Sequence, residues 1–158
     1  MGNVFSASEI VEIGIEIEKN GRDFYAELVR VSKNEKAKEV FGFLGAEEEK
    51  HIKRFKELLS QVKKYDTSEA YTGEYFSYLR ALSEGYVFTK SGKGAETAKN
   101  IKKEKEAVEA GIGFEKDSIL FYHEMKKFVL EGEQKIIDKL LEEEQEHLRR
   151  LTELKAVL

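Results

Sequence analysis

The sequence predicts an all-α protein, and within that class a four-helix bundle with one long crossover connection. The chain of 158 residues contains no proline and is rich in Glu, Lys, Leu and Ala, which are good helix formers. Apolar residues recur with helical spacing over four long segments. The stretch Val11–Lys19 is echoed by Val108–Lys116. This repeat predicts two similar helix pairs, one in each half of the chain.

The boundaries of the four long helices follow from capping signals and from changes of pattern. Ser6 and Glu9 form a capping box before the first helix, and Ser32 and Glu35 form a second one before the next helix. The expected helices lie at about residues 8–31, 34–63, 96–129 and 133–156. The lysine-rich start of the third helix could also be a separate piece.

Residues 64–95 form the crossover between the helix pair 8–63 and the helix pair 96–156. The ends of this segment are rich in turn residues. The aromatic stretch 75–88 in its middle predicts a short helix. This helix could close one end of the bundle, or it could form an interface between two chains. We expect residues 1–158 to form one domain.

Composition excludes several classes of function. The net charge is −4 and basic residues are mixed with acidic ones, so we expect no binding to nucleic acid. The chain has no cysteine, which excludes disulfides, thiol catalysis and iron held by thiolates. We expect no membrane association, because no apolar run reaches the length of a span. No apolar signal segment is present at the N-terminus, and we expect a cytoplasmic protein.

Charged residues interrupt the apolar stripes of two helices at matching places. Glu48 and His51 lie three residues apart on the apolar face of the second helix, and Glu144 and His147 do so in the fourth. Each Glu also belongs to a run of glutamates, so a solvated helix face is the alternative interpretation. Periodicity favours the inward position, because the other glutamates of each run fall on the flanks.

Glu18 and Glu115 are the corresponding residues of the first and third helices. Glu16 competes with Glu18, but the repeat places Gly113 opposite Glu16 and therefore selects Glu18 and Glu115. Small residues accompany each selected Glu on the same helix face, one turn before and one turn after it. These small residues are Gly14, Gly21, Gly111 and Ser118. We expect them to leave space for something other than a side chain.

Four carboxylates directed into one core need positive charge beside them. A buried charge without its partner costs about 3–5 kcal/mol, whereas a whole domain is stable by about 5–15 kcal/mol. Two divalent cations would neutralise four glutamates and two neutral histidines. Ligands that are mostly carboxylates, with one histidine per ion, suit iron or manganese better than structural zinc.

A single Glu on each of two helices and Glu-x-x-His on the other two resembles the metal-binding pattern of the rubrerythrin and ferritin-like superfamily. The resemblance covers most of the chain outside residues 64–95 and implies a ferritin-like bundle holding two iron ions, with manganese or a mixed pair as alternatives. Under this resemblance the metal ligands are Glu18, Glu48, His51, Glu115, Glu144 and His147. It also implies that Glu48 and Glu144 bridge the ions and that Glu18 and Glu115 are terminal.

The resemblance implies a role for two tyrosines. Tyr25 and Tyr122 each follow their Glu by two helical turns on the same face. In the family, tyrosines at these places hydrogen-bond to a ligand carboxylate on a neighbouring helix. Tyr25 and Tyr122 are therefore candidate catalytic residues, with ordinary core aromatics as the alternative. His123 falls off this face, and we expect it at the surface.

Two features depart from the rubrerythrin pattern. Rubrerythrins carry a cysteine-ligated iron domain that supplies electrons, so this cysteine-free chain would need an external electron donor protein. Rubrerythrin peroxidases also use an additional carboxylate near the third-helix ligand, and no Glu occupies the neighbouring positions around Glu115.

The leading hypothesis is a di-iron oxidoreductase that reduces peroxide or dioxygen, and we expect a homodimer. A ferritin-type iron oxidation and storage protein, and a helical interaction module without enzymatic activity, are the alternatives.

Overall fold

A computed structural model of the chain describes residues 4–65, 69–70, 73–84 and 89–158. It confirms the predicted all-α class and the bundle with a single long crossover. The six helices of the described residues are α1 (Ala7–Val31), α2 (Glu35–Val62), α3 (Gly73–Glu84), α4 (Lys93–Asn100), α5 (Glu104–Met125) and α6 (Glu131–Ala156). A 3₁₀ turn, Lys126–Phe128, follows α5.

The only strands in the described part of the chain are two short ones outside the bundle. β1 (Val4–Phe5) pairs antiparallel with β2 (Glu69–Ala70). This pairing ties the chain before α1 to the beginning of the crossover.

The observed caps confirm one predicted helix start and correct the other. Ser6 is the N-cap of α1, and its hydroxyl accepts a hydrogen bond from the Glu9 amide at 3.1 Å. The predicted capping box at Ser32 was wrong, because Asn34 caps α2. Ser32 instead ends α1, and its hydroxyl donates to the carboxylate of Glu104 on α5 at 2.7 Å.

Helices α1, α2, α5 and α6 form the bundle and bury one apolar core between them. The helices α1 and α2 pack together along their length, as do α5 and α6, and α2 also contacts α6. Large side chains without solvent exposure fill the interior, among them Phe24, Phe41, Phe55, Phe121, Leu28, Leu44 and Leu58. Such burial supplies most of the driving force for helix packing. Any charged group in this interior is therefore cut off from water.

The crossover is built differently from a simple loop. The start expected for the third long helix, at about residue 96, belongs to a separate helix, α4, which packs on α1, and the third long helix, α5, begins only at Glu104. Gly94 permits this contact, because a Cβ there would lie 1.9 Å from the carbonyl oxygen of Asn20. The Asn20 side-chain oxygen accepts a hydrogen bond from the Gly94 amide at 3.0 Å.

The aromatic stretch 75–88 is only partly described, in helix α3. Leu79 is buried, whereas Tyr78 is 40% exposed. Tyr86, Val87 and Phe88 lie outside the described residues. Neither the closing of the bundle end nor a chain interface is decided by these contacts, and both stay predictions.

Candidate metal centre

The six polar residues selected from the sequence meet in the centre of the bundle. Each of the four helices contributes to the cluster, and each side chain is almost completely removed from solvent. They are Glu18 on α1, Glu48 and His51 on α2, Glu115 on α5, and Glu144 and His147 on α6. The interpretation of these glutamates as part of a solvated helix face is therefore wrong.

The cluster divides into two overlapping groups of possible ligand atoms. The first group contains Glu18, Glu48, His51 and Glu144, and the second contains Glu48, Glu115, Glu144 and His147. Within each group the ligand atoms all lie within 4.8 Å of one another. The carboxylates of Glu48 and Glu144 belong to both groups. We call these groups the His51 position and the His147 position.

Several atoms of the cluster have no hydrogen-bond partner among the described residues. They are Glu18 Oε2, both carboxylate oxygens of Glu48, His51 Nδ1, Glu115 Oε2 and Glu144 Oε1. His51 Nδ1 lies 2.9 Å from Glu144 Oε1, yet these two atoms are not aligned as a hydrogen bond. Buried polar atoms in proteins are normally satisfied. Their grouping here fits ligand atoms that surround a cation.

Two tyrosines hydrogen-bond to Glu18 and Glu115, the two glutamates that each belong to a single group. The hydroxyl of Tyr25 on α1 donates to Glu115 Oε1 at 2.6 Å. The hydroxyl of Tyr122 on α5 donates to Glu18 Oε1 at 2.5 Å. These are the carboxylate contacts on neighbouring helices that the resemblance implied. Each leaves the second oxygen of its Glu free to face the cluster.

Burial and nearby carboxylates act in opposite directions on the pKa of each histidine of the cluster. Burial lowers the pKa of His51, but the carboxylates of Glu18 and Glu144 outweigh it and raise the pKa to about 11. Burial likewise lowers the pKa of His147, and Glu115 and Glu144 raise it to about 10. A proton on each ring therefore supplies positive charge to the metal-free cluster. A metal ion must displace that proton to bind the ring nitrogen.

Glu115 and Glu144 are close enough to share a proton. Burial and the nearby charge of Glu144 raise the pKa of Glu115 to about 8. Burial and Glu18 also act to raise the pKa of Glu144, but its close polar contacts with Glu115, His147 and His51 lower it overall. Without cations, the cluster thus holds protons that compensate for its negative charge.

Glu143, which was expected on the flank of its helix, contacts the cluster in the structure. Its Oε2 lies 2.9 Å from His51 Nε2 and 2.5 Å from Arg54 Nη1. Glu47, in the matching place on α2, has a carboxylate oxygen within 4.8 Å of ring nitrogens of both His51 and His147. The pattern Glu-Glu-x-x-His-x-x-Arg occurs in both halves and could have indicated these residues. His123 is exposed, as predicted.

The space beside the small residues is not left open, which corrects a prediction. A Cβ at Gly14 would lie 2.5 Å from the terminal methyl group of Met125. A Cβ at Gly21 would lie 2.4 Å from the ring of Phe114. Side chains from α5 therefore fill this space. The small residues let α1 and α5 approach each other closely and keep no cavity for a ligand.

The donor set fits divalent cations. Four glutamates and two imidazoles, with buried atoms that lack partners, offer hard oxygen ligands and one nitrogen ligand for each position. Two divalent cations would balance the four negative charges that burial otherwise penalises. No cysteine is available, which separates this set from structural zinc sites.

Fold and cluster together define a class: helical-bundle proteins with a buried carboxylate and histidine centre suited to metal ions. The chain matches the Rubrerythrin family over residues 9–155. It belongs to the rubrerythrin family. A search of curated proteins finds no match.

A solved structure supports the same class. The chain is similar to a Thermotoga maritima protein whose crystal structure was described, as a proposal, as that of a ferritin-like diiron-carboxylate protein. The two chains are 29% identical, the match covers 96% of this chain and 95% of the other, and the TM-score is 0.74. Among the described residues, no helix has the length and apolar character needed to cross a membrane.

Proposed function

We propose that this protein is a di-iron carboxylate oxidoreductase that reduces peroxide or dioxygen. The observation that supports this function best is the overlap of the two four-residue groups in Glu48 and Glu144. Two separate metal sites would not need to share residues, whereas a coupled pair of ions does. Membership of the rubrerythrin family favours iron, with manganese or a mixed pair as alternatives.

In this proposal each ligand has a distinct role. Glu48 and Glu144 would be shared by the two ions, Glu18 and His51 would complete one position, and Glu115 and His147 would complete the other. Bound iron would supply the redox chemistry that reduction of peroxide or dioxygen requires. The buried surroundings keep bulk water away from the reacting groups and strengthen the electrostatic interactions there.

Tyr25 and Tyr122 take part through the terminal glutamates. Each hydroxyl hydrogen-bonds to one oxygen of its Glu, so that only the second oxygen is directed towards the ion. A phenol at this distance also holds a proton next to a ligand carboxylate, where a reduced oxygen species needs one. We propose this proton-holding and orienting role for both tyrosines.

Electrons must reach the centre from outside the chain in this proposal. The sequence contains no cysteine, and therefore no thiolate-ligated iron group that could act as an internal donor. We propose a separate electron donor protein as partner. We further propose that the protein works as a homodimer, which analytical ultracentrifugation would test.

Metal stoichiometry tests the proposed function directly. Metal-free protein given Fe(II) without oxygen should bind about two ions per chain, and the loaded protein should then consume peroxide or dioxygen. Glu48→Ala and Glu144→Ala should each disrupt both positions, because each residue belongs to both groups. Glu142→Ala is the matched control, since Glu142 is exposed two residues before Glu144. Unchanged stoichiometry in both bridging variants would contradict the site assignment.

A ferritin-type iron oxidation protein is the second candidate. It is favoured by Ser118, which lies one helical turn after Glu115, where an additional carboxylate would assist a peroxidase. The Ser118 hydroxyl donates to the carbonyl of Phe114 at 2.9 Å within its own helix. An iron content far above two ions per chain, in a large closed assembly on size-exclusion chromatography, would favour storage. A small assembly that turns over peroxide would favour the reductase.

A further inference from the structure

Outside the ligand cluster, an ion pair between described residues of α2 and α6 contacts the centre. Glu143 Oε2 accepts from Arg54 Nη1 at 2.5 Å, and the same oxygen lies 2.9 Å from His51 Nε2. The Glu143 side chain is 19% exposed and that of Arg54 is 37% exposed. The pair therefore closes the cluster on the α2–α6 face and reaches the ring of His51 from its outer side.

This contact determines how the imidazole of His51 is presented. The Nδ1 atom faces the cluster and has no hydrogen-bond partner among the described residues. A ring that binds a metal through Nδ1 carries its remaining proton on Nε2. Glu143 is placed to accept that proton in a hydrogen bond, which fixes both the tautomer and the orientation of the ring.

Arg54 in turn keeps Glu143 available as an acceptor. The guanidinium of Arg54 carries a permanent positive charge and lies 2.5 Å from Glu143 Oε2. An ionised carboxylate beside it accepts hydrogen bonds and donates none. Because His51 and Arg54 contact the same oxygen, a change in Arg54 is transmitted to His51 through a single atom.

His147 has no equivalent arrangement, although matching residues are present. Glu47 stands in the place of Glu143, but its carboxylate pairs with Lys50 at 2.5 Å. Arg150 stands in the place of Arg54, but it hydrogen-bonds to Glu146 at 3.1 Å. The ring of His147 forms a T-shaped contact with the ring of Phe43 instead, with 6.2 Å between ring centroids.

We propose that Glu143 and Arg54 are positioning residues that pre-orient His51 and make the His51 position bind its metal ion first and more tightly than the His147 position. This inference rests on the proposed di-metal function. A ligand that is already oriented loses less conformational freedom on binding. His147, which contacts the ring of Phe43 there, loses more conformational freedom when its ion binds.

Anaerobic titration of the metal-free protein with Co(II) tests the proposal. The heat of binding and the visible absorption of Co(II) should reveal two steps of different affinity. Glu143→Ala should weaken the first step about 10- to 100-fold, the usual effect of removing an outer hydrogen-bond partner of a ligand, and should leave the second step nearly unchanged. Glu142→Ala is the matched control, because Glu142 is the exposed neighbour of Glu143 on α6, and it should leave the first step unaltered.

A milder variant protects the test against misfolding. Glu143→Gln keeps the size of the side chain and one hydrogen-bond acceptor, and it should weaken the first step less than Glu143→Ala. Helix content measured by circular dichroism should stay the same in all three variants. A general structural defect would weaken both steps alike.

The outcomes separate this inference from the proposed function. Wild-type protein that binds no Co(II), or only one ion, would contradict the proposed function. Wild-type protein that binds two ions with equal affinity would overturn only the inference. So would equal effects of Glu143→Ala and Glu142→Ala on the first step.

Discussion

The helix pair α1–α2 and the helix pair α5–α6 bring equivalent residues to the centre of the bundle, but they surround their histidines differently. Each pair supplies one terminal Glu, one Glu-x-x-His sequence and one tyrosine. The outer nitrogen of His51 lies against the carboxylate of Glu143. The ring of His147 lies against Phe43, and Arg150 stacks on that phenylalanine at 4.2 Å.

A single difference in charge explains the asymmetry. The residue immediately before His51 is Lys50 on α2, and the residue immediately before His147 on α6 is Glu146. Lys50 can pair with Glu47 one turn before it, and Glu146 can pair with Arg150 one turn after it. Both residues that could have surrounded His147 are thus bound within their own helices.

The opposite holds on the His51 side. Arg54 has the like-charged Lys50 one turn before it, and Glu143 has the like-charged Glu146 one turn after it. Neither neighbour can neutralise Arg54 or Glu143, and the oppositely charged Lys139 on α6 lies farther from Glu143, at 4.0 Å. Arg54 and Glu143 therefore pair closely across the α2–α6 interface, beside His51. Surface residues thus give the two histidines different surroundings, although the sequences around them match.

Removal of the terminal glutamates should produce the largest effect. Glu18 belongs only to the His51 position and Glu115 only to the His147 position. Glu18→Ala should therefore abolish the tight step of Co(II) binding, and Glu115→Ala should abolish the weak one, each leaving about one ion per chain. Calorimetric titration measures both. If both variants remove the same step, the two positions are not separate.

The dependence of the Tm on pH should show that the two histidines stabilise the metal-free protein in the same way. In the metal-free protein the pKa is about 11 for His51 and about 10 for His147. A pKa raised in the folded state stabilises the fold fully below the unfolded value of about 6.5, and this stabilisation is lost as pH rises through the folded value. We expect the Tm of the metal-free protein to fall by at least about 5 °C between about pH 7 and pH 10.

The histidine variants and the loaded protein provide the controls for this series. His51→Gln and His147→Gln should each reduce the slope of Tm against pH by a similar amount. Metal-loaded protein should not show this slope, because its histidines are already unprotonated. A metal-free protein whose Tm is constant over this range would contradict the coupling between histidines and carboxylates.

The smallest expected effect comes from the surface charges themselves. In a double variant with Lys50→Ala and Glu146→Ala, Glu47 and Arg150 lose the partners that hold them within their own helices. They should then pair beside His147 as Glu143 and Arg54 do beside His51. We expect the Kd of the weaker Co(II) step to fall about 3- to 10-fold, because a hydrogen-bond partner on the outer side of a ligand histidine strengthens metal binding. An unchanged second step would mean that Phe43 prevents the pairing.

Sequence reasoning is strongest for the residues that point inward. Periodicity places Glu18 and Glu115 on inward faces but leaves Glu16 as a competitor of Glu18. Comparison of the two repeats selects Glu18 and Glu115, and the structure places both in the core. Helical spacing alone determines which face a residue occupies. The inward positions of the cluster could therefore be predicted without knowledge of how the helices pack.

Sequence reasoning failed where contacts join different helices. Ser32 had the right spacing for a capping box, but Glu104 from α5 takes its hydroxyl. The glycines indicated open space, but Phe114 and Met125 from α5 fill it. Glu143 belongs to the flank of its own helix and meets His51 only because α2 and α6 are adjacent. Periodicity within one helix contains no information about such neighbours.

The tyrosine contacts join the two halves of the chain. Tyr25 comes from the first half and donates to Glu115 of the second, whereas Tyr122 comes from the second half and donates to Glu18 of the first. Neither half supplies all the contacts of its own terminal glutamate. A separated half of the chain would therefore lack the hydroxyl group that orients its own carboxylate.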